Sequence, residues 1–290
     1  MHVPVMVAEC LDYLNVRPEG VYLDMTAGLG GHAGAIARRL STGMVIACDR
    51  DAESIELARA NTADCAGHIR FQEGLFSQVE ETLAVLNIKQ LDGLLADLGV
   101  SRYQLTEGER GFSLMVNGPL DMRMSRGTHT GQERTAAEIV NYESEKELAG
   151  LIFSLGEERR SRKIARAIVR ARPIQTTGQL AKLIEGVVPR TGKLHPATQT
   201  FMALRLAVNR EMEEVDALLE SIPRVLRKGG RAVFVTFMSL EDRKVKHGFQ
   251  AMAQTGRVKL LTRHVVKPGA AEIHSNPPSR SAKLRAVELI

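Results

Sequence analysis

Four short apolar runs, Val21–Asp24, residues 44–48, 92–97 and 231–237, are bounded by Gly or charged residues, with helix-period stretches between the first few. Strands that alternate with helices leave few topologies open. The helix carries the chain back, so successive strands lie parallel, and helices on the sheet faces bury them. The sequence therefore predicts a parallel α/β sheet, with a further strand at residues 69–71. A single helix over residues 197–226 ends in Arg227-Lys228-Gly229-Gly230 and leads into the run at 231–237, as a crossover unit should. Residues 258–264 and 284–289 are β-rich and close the sheet as a terminal hairpin. The spacing breaks once. About 130 residues separate Asp97 from Arg231, where one crossover needs a few dozen. Helical periodicity at 144–155, 157–172 and 178–188 fills that gap and predicts a helical domain over residues 105–208. It interrupts a sheet domain made of residues 1–104 and 209–290.

Composition excludes several classes. With 4% aromatic residues and no Trp, wide base-stacking surfaces are not expected. No run approaches the roughly 20 apolar residues of a membrane span, and the N-terminus lacks a charged region followed by an apolar one. A cytoplasmic protein with no membrane partner is expected. Cys10, Cys48 and Cys65 form no CxxC pair and are odd in number, so free thiols are expected rather than disulfides or a metal site. The net charge of +5 permits a polyanionic partner without requiring one. Its placement is more informative, because residues 157–172 carry seven Lys or Arg against two Glu. That helix puts Ile164, Ala165 and Ile168 on one face and basic residues on the others. Arg159, Arg162 and Arg166 are candidate phosphate contacts; the alternative is a solvated face.

The first strand runs into Met25-Thr26-Ala27-Gly28-Leu29-Gly30-Gly31-His32 and an Ala-rich helix. Glycines at such a turn let the backbone approach a cofactor. Asp49 ends the second strand, where a carboxylate can accept hydrogen bonds from the hydroxyls of an adenosine ribose. Gly28 to Ala33 also satisfies the G-x-G-x-x-A dinucleotide pattern, which keeps a nicotinamide-dependent oxidoreductase open as a rival. Beyond the fourth strand, Arg110, Asp121 and Arg123 sit in a Gly- and Pro-rich loop, either facing a substrate or bracing the loop as an internal ion pair. Ser239-Leu240-Glu241-Asp242 has capping-box spacing; alternatively Glu241 or Arg243 faces the target. Asn276-Pro277-Pro278-Ser279 lacks the aromatic of the amino-methyltransferase signature and follows the fifth strand rather than the fourth.

Several polar motifs occur in a familiar order: His2-Val3-Pro4-Val5, the Asp24 to His32 turn, Asp49-Arg50-Asp51, Asp97-Leu98-Gly99-Val100-Ser101 and Arg110-Gly111-Phe112-Ser113. Gly118-Pro119-Leu120-Asp121-Met122-Arg123-Met124, Gly156-Glu157-Glu158-Arg159, His195-Pro196-Ala197-Thr198 and Ser239 to Arg243 follow. With them the chain resembles, nearly end to end, the bacterial ribosomal RNA small-subunit methyltransferase H family. The resemblance implies a Rossmann-like class I methyltransferase sheet with an inserted small helical domain. It also implies S-adenosyl-L-methionine as cofactor and N4 of a cytidine in the decoding region as target. The partner is then 16S ribosomal RNA in the small ribosomal subunit, with a homodimer left open. Its cofactor contacts fall on Gly30, Gly31, His32, Asp49, Phe76, Asp97 and Gln104. Asp97 is also the candidate catalytic acceptor for the cytosine amino group; binding the cofactor alone is the alternative. The chain departs from the family at Arg102-Tyr103, where Ser-Pro is usual, at Met238 for His and at Pro278 for Arg. A non-catalytic RNA-binding module with a cofactor pocket is the second rival.

Overall fold

Alternate residues of the central strands point to opposite faces, and both faces are apolar: Tyr22 and Leu23, Val45 and Ile46, Leu94 and Leu95, Val233 and Phe234 are all buried. A sheet covered on both sides follows, as a parallel sheet requires. The computed structural model describes residues 4–101, 103–104, 107–125, 134–190, 192 and 194–290. His2 and Val3 of the opening motif, Arg102 of the altered loop and Leu105 at the expected insert boundary lie outside them. The chain forms two compact units, residues 1–99 with 212–290 and residues 100–211. The division comes a few residues before the expected 104/105 boundary and a few after 208/209, and Val100 packs with the helical core.

The first unit is a seven-stranded sheet of order β3-β2-β1-β4-β5-β7-β6. Its strands are β1 (Val21–Asp24), β2 (Met44–Asp49), β3 (Ile69–Glu73), β4 (Leu91–Asp97), β5 (Leu226–Thr236), β6 (Val258–Leu260) and β7 (Lys283–Leu289). The first five pair parallel, and β7 runs antiparallel to both β5 and β6. The sheet is Rossmann-like and closes on β6 and β7, an antiparallel pair separated by residues 261–282 rather than a tight hairpin. Helices α1 (Val7–Leu14) and α2 (Gly31–Ala37) cover one face through Leu11, Leu14, Ala33 and Ile36. Helix α3 (Ala52–Asn61) flanks β2 and β3 on the α2 side, with Ala58 against Gly30, and α4 (Val79–Val85) packs on the other face through Val79 and Leu83.

The second unit is helical: α5 (Ala136–Tyr142), α6 (Glu145–Gly156), α7 (Ser161–Ala171), α8 (Thr177–Val187) and α9 (Thr198–Val208). Thr135 with Glu138, Ser144 with Glu147 and Thr176 with Gln179 form capping boxes that start α5, α6 and α8. Leu148, Ile152, Ile164, Ile168, Leu180 and Leu204 fill the core between them.

Three expected elements differ, the first being β6, which ends at Leu260 rather than at 264. The single helix over 197–226 is two helices, α9 and α10 (Glu211–Val225), separated at Arg210, which has φ 50. Asn209 ends α9 because its side chain donates to the Met122 and Arg205 carbonyls and accepts from the Met124 amide. Those contacts come from a distant loop, so periodicity does not reveal the break. β5 begins at Leu226, opposite Leu91, and the register shifts before Arg231 meets Gly93. Residues 227–230 therefore bulge within the strand, with Gly229 at φ 76. Helices α11 (Ser239–Gln254) and α12 (Ala270–Ser275) complete the first unit, where Phe249 meets Phe234 edge-on at 5.5 Å. Among the described residues no helix is long and apolar enough to cross a membrane.

Candidate cofactor and active site

Three carboxylates end three adjacent strands: Asp24 on β1, Asp49 on β2 and Asp97 on β4. Each lies at the carboxyl edge of the sheet, where ligands of such folds bind. Thr26 ties the first to the third. Its amide and hydroxyl donate to Asp24 Oδ1 at 3.0 and 3.2 Å, and its Oγ1 accepts from the Asp97 amide at 2.7 Å.

Asp49 is held by the backbone of the glycine turn. The Gly28 amide donates to Oδ2 at 2.8 Å and the Asp51 amide to Oδ1 at 3.0 Å. Both oxygens keep further lone pairs, so a fixed carboxylate is ready to accept from two neighbouring hydroxyls. Burial raises Asp49 to about 6 against these amide bonds.

Gly30 has φ 84, and a Cβ there would lie 2.9 Å from Thr62 Cγ2 and 3.1 Å from the Ala58 carbonyl oxygen. A Cβ on Gly31 would lie 2.7 Å from Pro4 Cγ. Both glycines are thus required by the packing of the turn itself, whatever approaches it from outside.

His32 is buried, with Nε2 at 2.9 Å from the Val5 carbonyl. A carbonyl only accepts, so Nε2 carries the proton and Nδ1 is the nitrogen facing Asp97 Oδ2, at 3.7 Å. The other oxygen, Asp97 Oδ1, is buried and has no hydrogen-bond partner among the described residues. Burial raises Asp97 to about 7; His32 opposes the shift, while Asp24 and Glu241 add to it. An unpartnered buried acceptor at a strand end is what an incoming N–H donor would satisfy. The carboxylates and turn therefore fit hydroxyl donors at Asp49 and an N–H donor at Asp97.

The structure thus brings Gly30, Gly31, His32, Asp49 and Asp97 together. Phe76 follows β3, half-buried against the sheet core. Gln104 belongs to the second unit, where its Oε1 accepts from the Ser101 amide and its own amide donates to Ser101 Oγ. Sequence reasoning passed over Asp24 and Thr26 as individual site residues. The available signal was an acid ending an otherwise apolar run, two positions before a hydroxyl.

The cationic candidates separate sharply. Arg110 is 1% exposed and donates to the Met124 carbonyl, which takes it out of the surface on which an RNA contact was expected. Arg123 forms a bidentate pair with Asp121 at 2.7 and 2.9 Å, the internal brace rather than an open cation. Arg159 and Arg162 are exposed, as is Arg166, which reaches Glu145 at 3.2 Å. Arg243 is exposed in the first turn of α11, whereas Glu241 is buried and accepts from the Phe237 and Met238 amides at 3.0 and 3.1 Å. That caps the helix and takes Glu241 away from any target. All three cysteines are free and buried, and burial raises each thiol above its ordinary value. No group of three or more metal-ligating side chains occurs among the described residues.

The sequence pattern of the MraW methylase family matches residues 1–290. A chain from Solibacter usitatus named ribosomal RNA small subunit methyltransferase H is 56% identical over 289 residues, covering 100% of both chains. One of the same name from Acidobacterium capsulatum is 48% identical over 297 residues, covering 99% of this chain and 98% of that one. A solved Clostridium thermocellum chain with a provisional rRNA-methylase name aligns at TM-score 0.50 and 11% identity over 100% of each, a likeness of fold alone.

Proposed function

Because the chain belongs to the MraW methylase family, we propose that it is a cytoplasmic S-adenosyl-L-methionine-dependent methyltransferase acting on small-subunit ribosomal RNA. The target is N4 of a cytidine in the decoding region of 16S RNA. Relatives that match the chain end to end carry the small-subunit methyltransferase name, which supports the substrate class. It also favours methyl transfer over the nicotinamide chemistry that the glycine pattern alone allows.

When bound, S-adenosyl-L-methionine supplies an electrophilic methyl group on a sulfonium. Asp49 would accept from the ribose hydroxyls, Phe76 would pack against the adenine, and Gly30, Gly31 and His32 would line the turn; Gln104 is the remaining contact that the family resemblance implies. The observation that carries the target assignment is Asp97 Oδ1, buried and without a partner among the described residues. The lone pair of cytosine N4 is delocalised into the ring. An acceptor for the amino hydrogen favours the tetrahedral geometry in which that lone pair attacks. Asp97 supplies the acceptor. Attack from C5 instead needs a thiolate that adds at C6. Cys10, Cys48 and Cys65 are all buried with raised pKa, which supports N4 over C5. The exposed cations Arg159, Arg162 and Arg166 of the helical unit, and Arg243 of the sheet unit, hold the RNA backbone.

The test is incubation with labelled cofactor and small subunits lacking the modification, followed by mass mapping of the RNA. N4-methylcytidine at one position is expected, also from a variant with all three cysteines replaced by Ser. A C5-methyl product would overturn the mechanism, and no transfer at all would leave the non-catalytic binding module.

A further inference from the structure

We infer that residues 263–283 form a phosphate-binding surface on the sheet unit, at the edge that carries Asp97, which holds the RNA backbone beside the target nucleotide. The inference rests on the RNA-methyltransferase reading for its partner and on strand register for its position.

The register runs in one row. Asp97 pairs with Val235, Val235 with Leu284, and Leu284 with Val266. At the usual strand spacing of about 4.8 Å, Leu284 lies roughly 10 Å and Val266 roughly 15 Å from Asp97. Because β7 is antiparallel to β5, Lys283 precedes Leu284 on the carboxyl-edge side. Lys267 follows Val266 toward the same edge. Between them, Arg280 lies in the short 3-10 turn Pro277–Ser281 that feeds β7.

The charge there is uncompensated. Residues 263–285 carry five Lys or Arg and a single acid, Glu272. Glu272 is occupied, since its Oε1 accepts from the Met6 amide at 2.7 Å. Arg263, Lys267 and Arg280 are exposed and make no hydrogen bond or ion pair among the described residues. Asp242 is engaged by Arg285 at 2.7 and 3.3 Å, with Lys283 Nζ at 3.6 Å, so one carboxylate faces two cations and a positive charge is left over. Burial opposes, yet these cations hold the Asp242 carboxyl below its ordinary value, so it stays ionised and keeps the pair in place. The stretch from 263 to 283 contains no Phe, Tyr or Trp. Exposed cations in a stretch without aromatic stacking rings suit phosphates, so this surface positions RNA through its backbone.

The test compares wild type with the triple variant Arg263→Ala, Lys267→Ala, Arg280→Ala. A control removes Lys89 and Lys228, exposed at the opposite edge of the sheet. The probe is a fluorescein-labelled single-stranded RNA with the decoding-region sequence, titrated by anisotropy over a series of KCl concentrations. Each lost phosphate contact lowers the slope of log affinity against log salt by about 0.7, so the triple variant loses about 2 and the control nothing. The KM for small subunits rises in the triple variant, while kcat and cofactor affinity stay at wild-type values. A salt slope equal to wild type overturns the inference. If the triple variant melts lower than wild type, the three single variants carry the test, each losing about 0.7 in slope. Methylation of small subunits with an unchanged slope sinks this surface and leaves the proposed function standing. A reduced slope in a protein that methylates nothing does the reverse.

Discussion

The strand-end acids of the sheet unit and the cap acids of the helical unit are used in opposite ways. In the sheet unit, Asp24, Asp49 and Asp97 stand at strand ends with burial raising them to about 6, 6 and 7. In the helical unit, Glu138 and Glu147 sit in capping boxes, where bonds to Thr135 and Ser144 lower them. The first arrangement opposes folding at neutral pH and the second assists it. A raised carboxyl stays protonated in the native state after the unfolded chain has ionised. Its contribution to stability therefore falls as pH climbs from about 4 to 7 and is restored on acidification. A lowered carboxyl contributes above its ordinary value and loses that contribution only as pH falls through its folded value. Charge that costs stability gathers in the sheet unit around an unpartnered acceptor, which is the physical mark of a site.

The sharpest way to break this comparison is Asp97→Asn. Turnover should fall by roughly 10²–10³-fold, while the cofactor-free protein gains stability on the order of 2 kcal/mol at pH 8. In the wild type, kcat/KM for the cofactor should rise with pH through about 7 as Asp97 ionises, and the variant should lose that limb. Thermal melts and a pH–rate profile check both, and an active, no more stable variant would sink the assignment. Next in size, Asp49→Ala should weaken S-adenosyl-L-methionine binding by about 1.5–3 kcal/mol with the fold intact, as read by calorimetry. Unchanged affinity would remove Asp49 from the site. Charge reversal at Arg162 and Arg166 should lower the salt slope of RNA binding by about 1.4 and leave cofactor affinity alone. An unaltered slope would make α7 a solvated face. The smallest effect is Thr135→Ala, which should lose about 1 kcal/mol of stability through the cap of α5. Chemical denaturation measures it, and any change in cofactor affinity would contradict the separation of roles.

Asp49 and Asp97 were legible because an Asp that closes an apolar run is a local pattern, although Asp24, which closes the first run in the same way, was passed over. The Arg123–Asp121 brace was legible only as one of two alternatives, since the sequence shows the partners adjacent and not which way the guanidinium turns. Arg110 was misplaced on the surface because nothing local announces that a cation is buried; the Met124 carbonyl that receives it lies on another part of the loop. Likewise Glu241 could cap or face outward, and the amides of Phe237 and Met238 took it.

Sequence alone determined the strands, the interruption after Asp97 and the helical content of the insert, since each follows from the spacing of apolar residues along a short stretch. Tertiary structure decided which charges are available. The state of Asp97 depends on its burial and on Asp24, His32 and Glu241, contributed by three other parts of the chain. The break at Asn209 depends on carbonyls and an amide of the 122–124 loop. Electrostatics and hydrogen bonding act through space, so neither could be read until the fold had placed residues remote in sequence beside one another.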